Sequence, residues 1–292
     1  MKSDDCLLLG AHLSIDGGVH KAIDRAQELG INALQIFTHN VRSWKDKQFT
    51  QEEISTFKKA KNNSDVEFCV IHTSYLINLA SPQESLWEKS KQGILSEIRR
   101  ASQLGINYIT THIGAHTGSG ESAGLSRVIQ ALKEISSSQV FRTSEVKILL
   151  ENTAGQGTSL GHSPSQLGQL LHNVKTPERF GFCFDTCHAF AAGYDLSTKA
   201  GVRRTIDQFR NQVKEEKLKL IHLNDCKGQL GSGLDRHEHI GKGNIGLSGF
   251  EYLINHPDIR HLPLILETPK EEIDGTHADV INLSKIRQLR QS

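Results

Sequence analysis

The sequence predicts a single-domain α/β fold, a closed (β/α)8 barrel with a metal site at the C-terminal ends of its strands. Three observations predict it. Eight short runs rich in β-branched or aromatic residues recur along the 292 residues, ending near His12, Thr38, His72, His112, Glu151, Asp185, His222 and Glu267. Their mean spacing of about 36 residues accommodates one strand, one helix and two loops. Six of the runs, FCVIH, NYITTH, VKILLE, GFCFD, LKLIH and LPLILE, stop abruptly in a His, Asp or Glu. In such barrels the active site lies where the C-terminal strand ends converge.

The elements follow in order. After the run ending near His12, GVHKAIDRAQEL (18–29) sets Val19, Ala22, Ile23 and Ala26 on one face at helical spacing. Runs to Thr38 and His72 come next. ESLWEKSKQGILSEIRRASQL (84–104) is the longest helix expected, with Leu86, Ile94, Ile98 and Leu104 three, four or a multiple of those apart. The runs to His112, Glu151 and Asp185 follow, with a loop signal at Thr176-Pro177. Beyond His222, Gly231–Gly246 reads as loop and LSGFEYLINH (247–256) as helix. The run to Glu267 and a helix from about Ala278 to Leu289 complete the chain. No linker or low-complexity segment divides residues 1–292, so one domain is expected. Eight βα alternations argue for a closed parallel barrel, with an open doubly wound sheet as the alternative.

Composition narrows the function classes. Hydrophobic residues make up 37% and charged residues 23%, the balance of a soluble globular protein with a sizeable core. No stretch approaches the roughly 20 apolar residues that span a bilayer. MKSDDCLLLG carries two acidic residues and a four-residue apolar run, which is no signal peptide, so cytoplasmic residence is expected. Cys6, Cys69, Cys183, Cys187 and Cys226 are an odd set, read as reduced and mostly buried thiols. Cys183 and Cys187 lack the second cysteine pair of a thiolate zinc site, and packing is the expected role. Net charge is +1, from 34 basic and 33 acidic residues, which taken alone argues against a nucleic-acid binder. Bound divalent ions would reverse that balance locally, at the face where substrate sits.

Nine side chains at or beyond the strand ends are candidate metal ligands: His72, His112, Glu151, Asp185, His188, His222, Asp235, His237 and Glu267. Five imidazoles and four carboxylates form a mixed nitrogen and oxygen set suited to zinc and compatible with manganese or iron. Four clustered carboxylates without cations would repel one another. In Asp235-Arg236-His237 the two ligands are two apart and point the same way from an extended segment. Asp185 and His188 are placed to serve two neighbouring ions, although a strand-end Asp also serves as a helix cap. His20, His39, His162, His172, His239, His256, His261 and His277 are read as ordinary packed or hydrogen-bonded histidines. Gly241-Lys-Gly-Asn-Ile-Gly246 matches G-x-G-x-x-G but follows a polar loop, not a strand, and is read as a tight loop without nucleotide.

These residues lie in segments that resemble endonuclease IV, the zinc-dependent apurinic/apyrimidinic endonuclease family, over essentially the full length. The segments are GAHLS (10–14), HTSYLINLA (72–80), ENTAGQG (151–157), DTCHAFAAGYDL (185–196), HLNDCKGQLGSGLDRHEHIGKGNIG (222–246) and LILETP (264–269). The resemblance implies a TIM barrel carrying three zinc ions, for which Mn2+ or Fe2+ could substitute. His72, His112 and Glu151 would hold the first ion, Glu151 bridging to a second completed by Asp185, His222 and Glu267. His188, Asp235 and His237 would hold the third. Glu151 and Glu267 become the expected catalytic carboxylates. Arg42, Tyr75 and Leu76 match the positions where the family inserts side chains into DNA. The implied reaction is metal-activated hydroxide attack on the phosphodiester 5′ to an abasic site in duplex DNA, leaving a 3′-hydroxyl and a 5′-deoxyribose phosphate. Duplex DNA with abasic sites or blocked 3′ ends is the expected partner, and a monomer the expected state.

Three positions depart from the family pattern: Ile113 where it usually has Pro, Phe184 where a smaller aliphatic is usual, and Cys226 where Ser or Ala is common. None removes a ligand. They bear on fine geometry, including the rigidity of the loop after His112. Two other readings compete. A sugar isomerase or epimerase on a similar barrel would use Glu151, Asp185, His222 and Glu267, but has no use for the other five ligands. A DNA-binding protein with purely structural zinc would favour a closed, cysteine-rich site.

Overall fold

The computed structural model describes residues 7–174, 176–214 and 217–291. Eight parallel strands close into a barrel: β1 (Leu9–Leu13), β2 (Ala33–Ile36), β3 (Phe68–His72), β4 (Tyr108–Thr111), β5 (Lys147–Glu151), β6 (Phe180–Asp185), β7 (Leu218–His222) and β8 (Leu264–Leu266). Their order around the barrel follows the chain, with β8 closing onto β1. The closed barrel is the expected fold, and the open sheet is excluded. Strands β3, β5, β6 and β7 end on the residues expected of them. His112 and Glu267 lie one residue past β4 and β8, and β2 stops at Ile36, two short of Thr38.

Alternation along each strand divides the core into two shells. Leu34, Ile36, Ile71, Ile109, Ile148, Leu150, Phe182, Phe184, Ile221 and Leu266 face outward and pack beneath the helices. Ala33, Phe68, Val70, Leu149, Cys183, Leu220 and Ile265 form a separate cluster inside the barrel. Burying one such Leu or Ile contributes about 2 kcal/mol relative to exposure. One step of two residues above the inner cluster, the same parity brings His12, Gln35, His72, Glu151, Asp185, His222 and Glu267 to the top layer. The site is therefore the polar lid of an apolar barrel.

The outer ring includes helices at Lys21–Glu28, Gln51–Asn62, Glu84–Leu104, Glu121–Ser137, Pro164–Asn173, Lys199–Val213, Gly246–Ile254 and Ala278–Leu289. The 84–104 and 278–289 helices have the expected bounds. The 18–29 helix begins three residues later than its pattern, because Gly17 and Gly18 take positive φ in a turn. Thr50 and Glu53 form a reciprocal capping box at the start of Gln51–Asn62. At Gly10 in β1 a Cβ would lie 1.9 Å from the Ala33 carbonyl oxygen, so only glycine allows these two strands to approach.

The 231–246 stretch is not wholly loop. His237–Glu238 pairs antiparallel with Asp225–Cys226, a two-residue ladder that holds Asp235 and His237 over the barrel mouth. The glycine-rich turn after it wraps around a carboxylate. Asp225 accepts backbone N–H bonds from Gly241 (2.9 Å), Gly243 (3.0 Å), Ile245 (3.0 Å) and Cys226 (2.8 Å). These donors, which could cradle a phosphate in another context, are spent on a residue of the chain itself.

Candidate metal centre

Chain geometry gathers all nine candidate ligands at the C-terminal mouth of the barrel. His72, His112 and Glu151 present ligand atoms within 4.8 Å of one another, and so do Glu151, Asp185, His222 and Glu267. Glu151 joins the two sets: its Oε2 lies 3.3 Å from His72 Nε2 and its Oε1 3.0 Å from His222 Nδ1. Asp235 Oδ1 lies 3.2 Å from His188 Nε2 and 3.6 Å from His237 Nε2. Asp185 also joins this last set, its Oδ2 standing 3.7 Å from His237 Nε2. At the same time Asp185 caps the Thr186–Ala191 helix, accepting from His188 N at 2.7 Å. The cap reading holds through one oxygen, and the other is turned toward the ligand set.

The ring orientations fit metal ligation. A metal-bound imidazole generally donates its other N–H to a fixed acceptor. Four rings do so here: His72 Nδ1 to Thr73 O (2.8 Å), His188 Nδ1 to Asn152 O (3.0 Å), His237 Nδ1 to Glu267 O (3.1 Å) and His222 Nε2 to Gln35 Oε1 (2.8 Å). Each leaves its second nitrogen facing carboxylates. Two lone-pair-bearing groups face to face need a cation between them, a proton or a metal ion. Glu151 Oε2 and His237 Nε2 are both buried without a hydrogen-bond partner, as atoms reserved for a ligand would be. The donor set, the orientations and these two orphan atoms fit divalent metal.

Electrostatics point the same way. Burial would push Glu151 up, but His222 and His112 beside it hold it well below the ordinary carboxylate range. Burial opposes charge on His188, yet Asp185 and Asp235 hold it well above its ordinary value. His222 is likewise held up, with Cys183, Glu151 and Glu267 overcoming burial. Without metal, then, protons on these rings offset the carboxylates. Metal must displace them, so binding weakens as pH falls. His112 is pulled down to about 4 by burial and is neutral, ready to ligate.

Tyr75 is 65% exposed at the mouth, its ring edge-on to Phe37 at 5.5 Å and 5.9 Å from His72. Leu76 is half-buried beside it and Arg42 is exposed in the loop after β2. A cleft of about 370 Å³ lies between Tyr75 and the Asp235–His237 segment, its floor formed by His72, His112, His188 and Glu267. Cys183 and Cys187 do not pair as one site. Cys183 lies with Glu151 and His222, Cys187 with Asp235 and His237, all in the buried interior except Asp235 and His237, while Cys6 falls outside the described residues.

Comparison with known proteins decides the family. The family described as Xylose isomerase-like TIM barrel matches residues 23–289. Over 283 residues the chain is 44% identical to the probable endonuclease 4 of Methanoculleus marisnigri, covering 97% of this chain and 99% of that protein. The chain belongs to the endonuclease IV family. The probable endonuclease 4 of Chloroflexus aurantiacus is 44% identical over 282 residues, covering 97% of this chain and 98% of that one. The crystal structure of endonuclease IV from Thermus thermophilus superposes with a TM-score of 0.84 at 33% identity, covering 96% of this chain and 98% of that one. A D-tagatose 3-epimerase-like protein superposes at 0.71 but is 20% identical, covering 97% of this chain and 96% of that one, and shares the fold.

In this endonuclease IV family member the three departures are packed positions. Ile113, Phe184 and Cys226 are all buried. The loop after His112 is tied to Asn78, whose Oδ1 accepts from Ala115 N and whose Nδ2 donates to Ala115 O. Sequence reasoning missed the supporting residues. Asn224 donates to Asp185 Oδ2 (2.7 Å) and accepts from Glu267 N (2.7 Å), and Asn152 accepts from Asp185 N (2.7 Å). Each stands one or two residues past a ligand inside a matched segment, which was the available signal. His12 lay in the matched GAHLS segment, whereas Gln35 carried no flag beyond lying near a strand end.

Proposed function

We propose that the chain is a DNA-repair hydrolase that cuts the phosphodiester bond 5′ to abasic sites in duplex DNA, leaving a 3′-hydroxyl and a 5′-deoxyribose phosphate. The observation that carries this reading is the third ligand set. His188, Asp235 and His237 converge beside the Glu151-linked sets, and a one- or two-ion epimerase has no use for them. Relatives named endonuclease 4 over the full length support the same reaction class.

In this reading His72, His112 and Glu151 hold one zinc, Glu151, Asp185, His222 and Glu267 a second, and His188, Asp235 and His237 a third, with Mn2+ or Fe2+ as possible substitutes. Bound there, such ions supply a nucleophile active at neutral pH and neutralise phosphate charge. The protein does the rest. Glu151 directs one oxygen to each neighbouring set and so fixes their separation. Glu267, held down to about 2 chiefly by His222 against the effect of burial, stays ionised and holds positive charge at the cleft wall rather than donating a proton. Tyr75 and Leu76 fill the stack vacated by the missing base, and Arg42 contacts the opposite face or the backbone. Extruding an abasic nucleotide costs less than flipping a paired one, which gives the selectivity.

A duplex bearing one tetrahydrofuran abasic analogue tests the proposal, because the analogue resists β-elimination. Zinc-loaded protein should cut on its 5′ side, and Glu151→Gln or His237→Ala should reduce the rate by at least about a hundredfold, the scale of losing a charge-stabilising group. An intact analogue with three ions bound would overturn the proposal and turn attention to sugar substrates.

A further inference from the structure

Gln35 lies on β2, fully buried at the top of the barrel interior, and matches none of the expected ligands. Every hydrogen-bonding atom of its carboxamide is engaged. Nε2 donates to Glu267 Oε1 at 2.5 Å and to His12 Nδ1 at 3.1 Å, and Oε1 accepts from His222 Nε2 at 2.8 Å. Two amide hydrogens and one carbonyl thus meet three partners from β1, β7 and the end of β8, strands that adjoin one another around the barrel.

The chemistry of these contacts fixes their direction. Glu267 is a carboxylate and accepts only, so the amide nitrogen must face it and the carbonyl must face His222. A carbonyl accepts only, so His222 must carry its proton on Nε2. Nδ1 is then the nitrogen turned toward Glu151 Oε1 at 3.0 Å and Glu267 Oε2 at 3.3 Å, the one whose proton a metal ion would replace. His12 Nδ1 must in turn accept, which keeps that ring neutral. Burial acts on His12 in the same sense, pulling it down to about 3.

We infer that Gln35 is a positioning residue for the middle ion, setting the ligating tautomer of His222 and the orientation of Glu267 through one carboxamide. The inference rests on the metal reading above and adds a residue to it. Partners of this kind typically cost 10- to 100-fold in metal affinity or activity when removed. A side chain of equal size without polar atoms would leave the His222 N–H and Glu267 Oε1 unpaired in a buried place.

The test measures zinc affinity by competition with a chelator of known affinity, on the wild type and on Gln35→Leu, with Gln35→Met as a linear alternative should Leu not fold. Thermal melts of the metal-free proteins report the fold independently. The wild type should bind three zinc ions. The variant should still melt cooperatively when metal-free, some degrees below the wild type for its unpaired buried groups, and hold one of the three ions about 10- to 100-fold more weakly than the other two. With that ion replenished, KM for the abasic duplex should hold while kcat falls. Three ions bound by both proteins with equal affinities would overturn the role of Gln35. A wild type that binds none would instead overturn the metal reading on which it depends.

Discussion

Six of the nine candidate ligands were legible as residues because each ended an apolar run. His188, Asp235 and His237 were legible only by their spacing and by resemblance, and Asp185 as both ligand and cap. The residues that hold them were not legible. A buried glutamine in LQIF has the same appearance as any polar residue in a strand, and only the closure of β2 near β7 and β8 reveals its partners. At the mouth, Tyr75 exposes 65% of its surface, although a tyrosine usually buries much of its ring. Such a ring is free to stack, and stacking is worth about 1–3 kcal/mol per base. Tyr75→Ala should therefore weaken binding to abasic duplex by about 10- to 100-fold while zinc content stays at the wild-type level. Equal affinities in a fluorescence-anisotropy titration would remove the wedge role.

Among the elements, period-2 alternation did the most. It separates an outer apolar shell from an inner one and delivers the top inner layer to the site. Strand ends were readable to within two residues because the apolar runs stop at or near polar residues. The Asp225–Cys226 and His237–Glu238 ladder was not, because two residues per strand carry no periodicity. Asp225 was equally hidden, since its importance lies in the backbone that folds around it. Its carboxylate accepts four N–H groups, three of them from the glycine-rich turn that leads into Gly246–Ile254. Asp225→Ala should cost about 3 kcal/mol, the scale of leaving several buried donors unpaired. Urea denaturation gives the value directly, and an unchanged midpoint would show that the turn holds itself. Because the ladder carries His237, the same substitution should also loosen the third ligand set.

For the molecule as a whole, the near-neutral charge that taken alone speaks against a nucleic-acid enzyme is a property of the metal-free chain. Its positive field would be supplied at one face by ions rather than spread over lysines, which is why composition alone could not decide the matter. The barrel supplies the rest: a closed sheet with no edge, an apolar interior that excludes water from below, and a mouth where strands from distant parts of the sequence deliver ligands to adjacent positions. The central claim is that nine side chains form three linked metal sites. Anomalous scattering from a zinc-loaded crystal, collected on both sides of the zinc edge, tests it most directly. Three peaks are expected, with Glu151 touching two of them and His188, Asp235 and His237 sharing the third. Two peaks or fewer at full zinc loading, with the His188, Asp235 and His237 set empty, would contradict it.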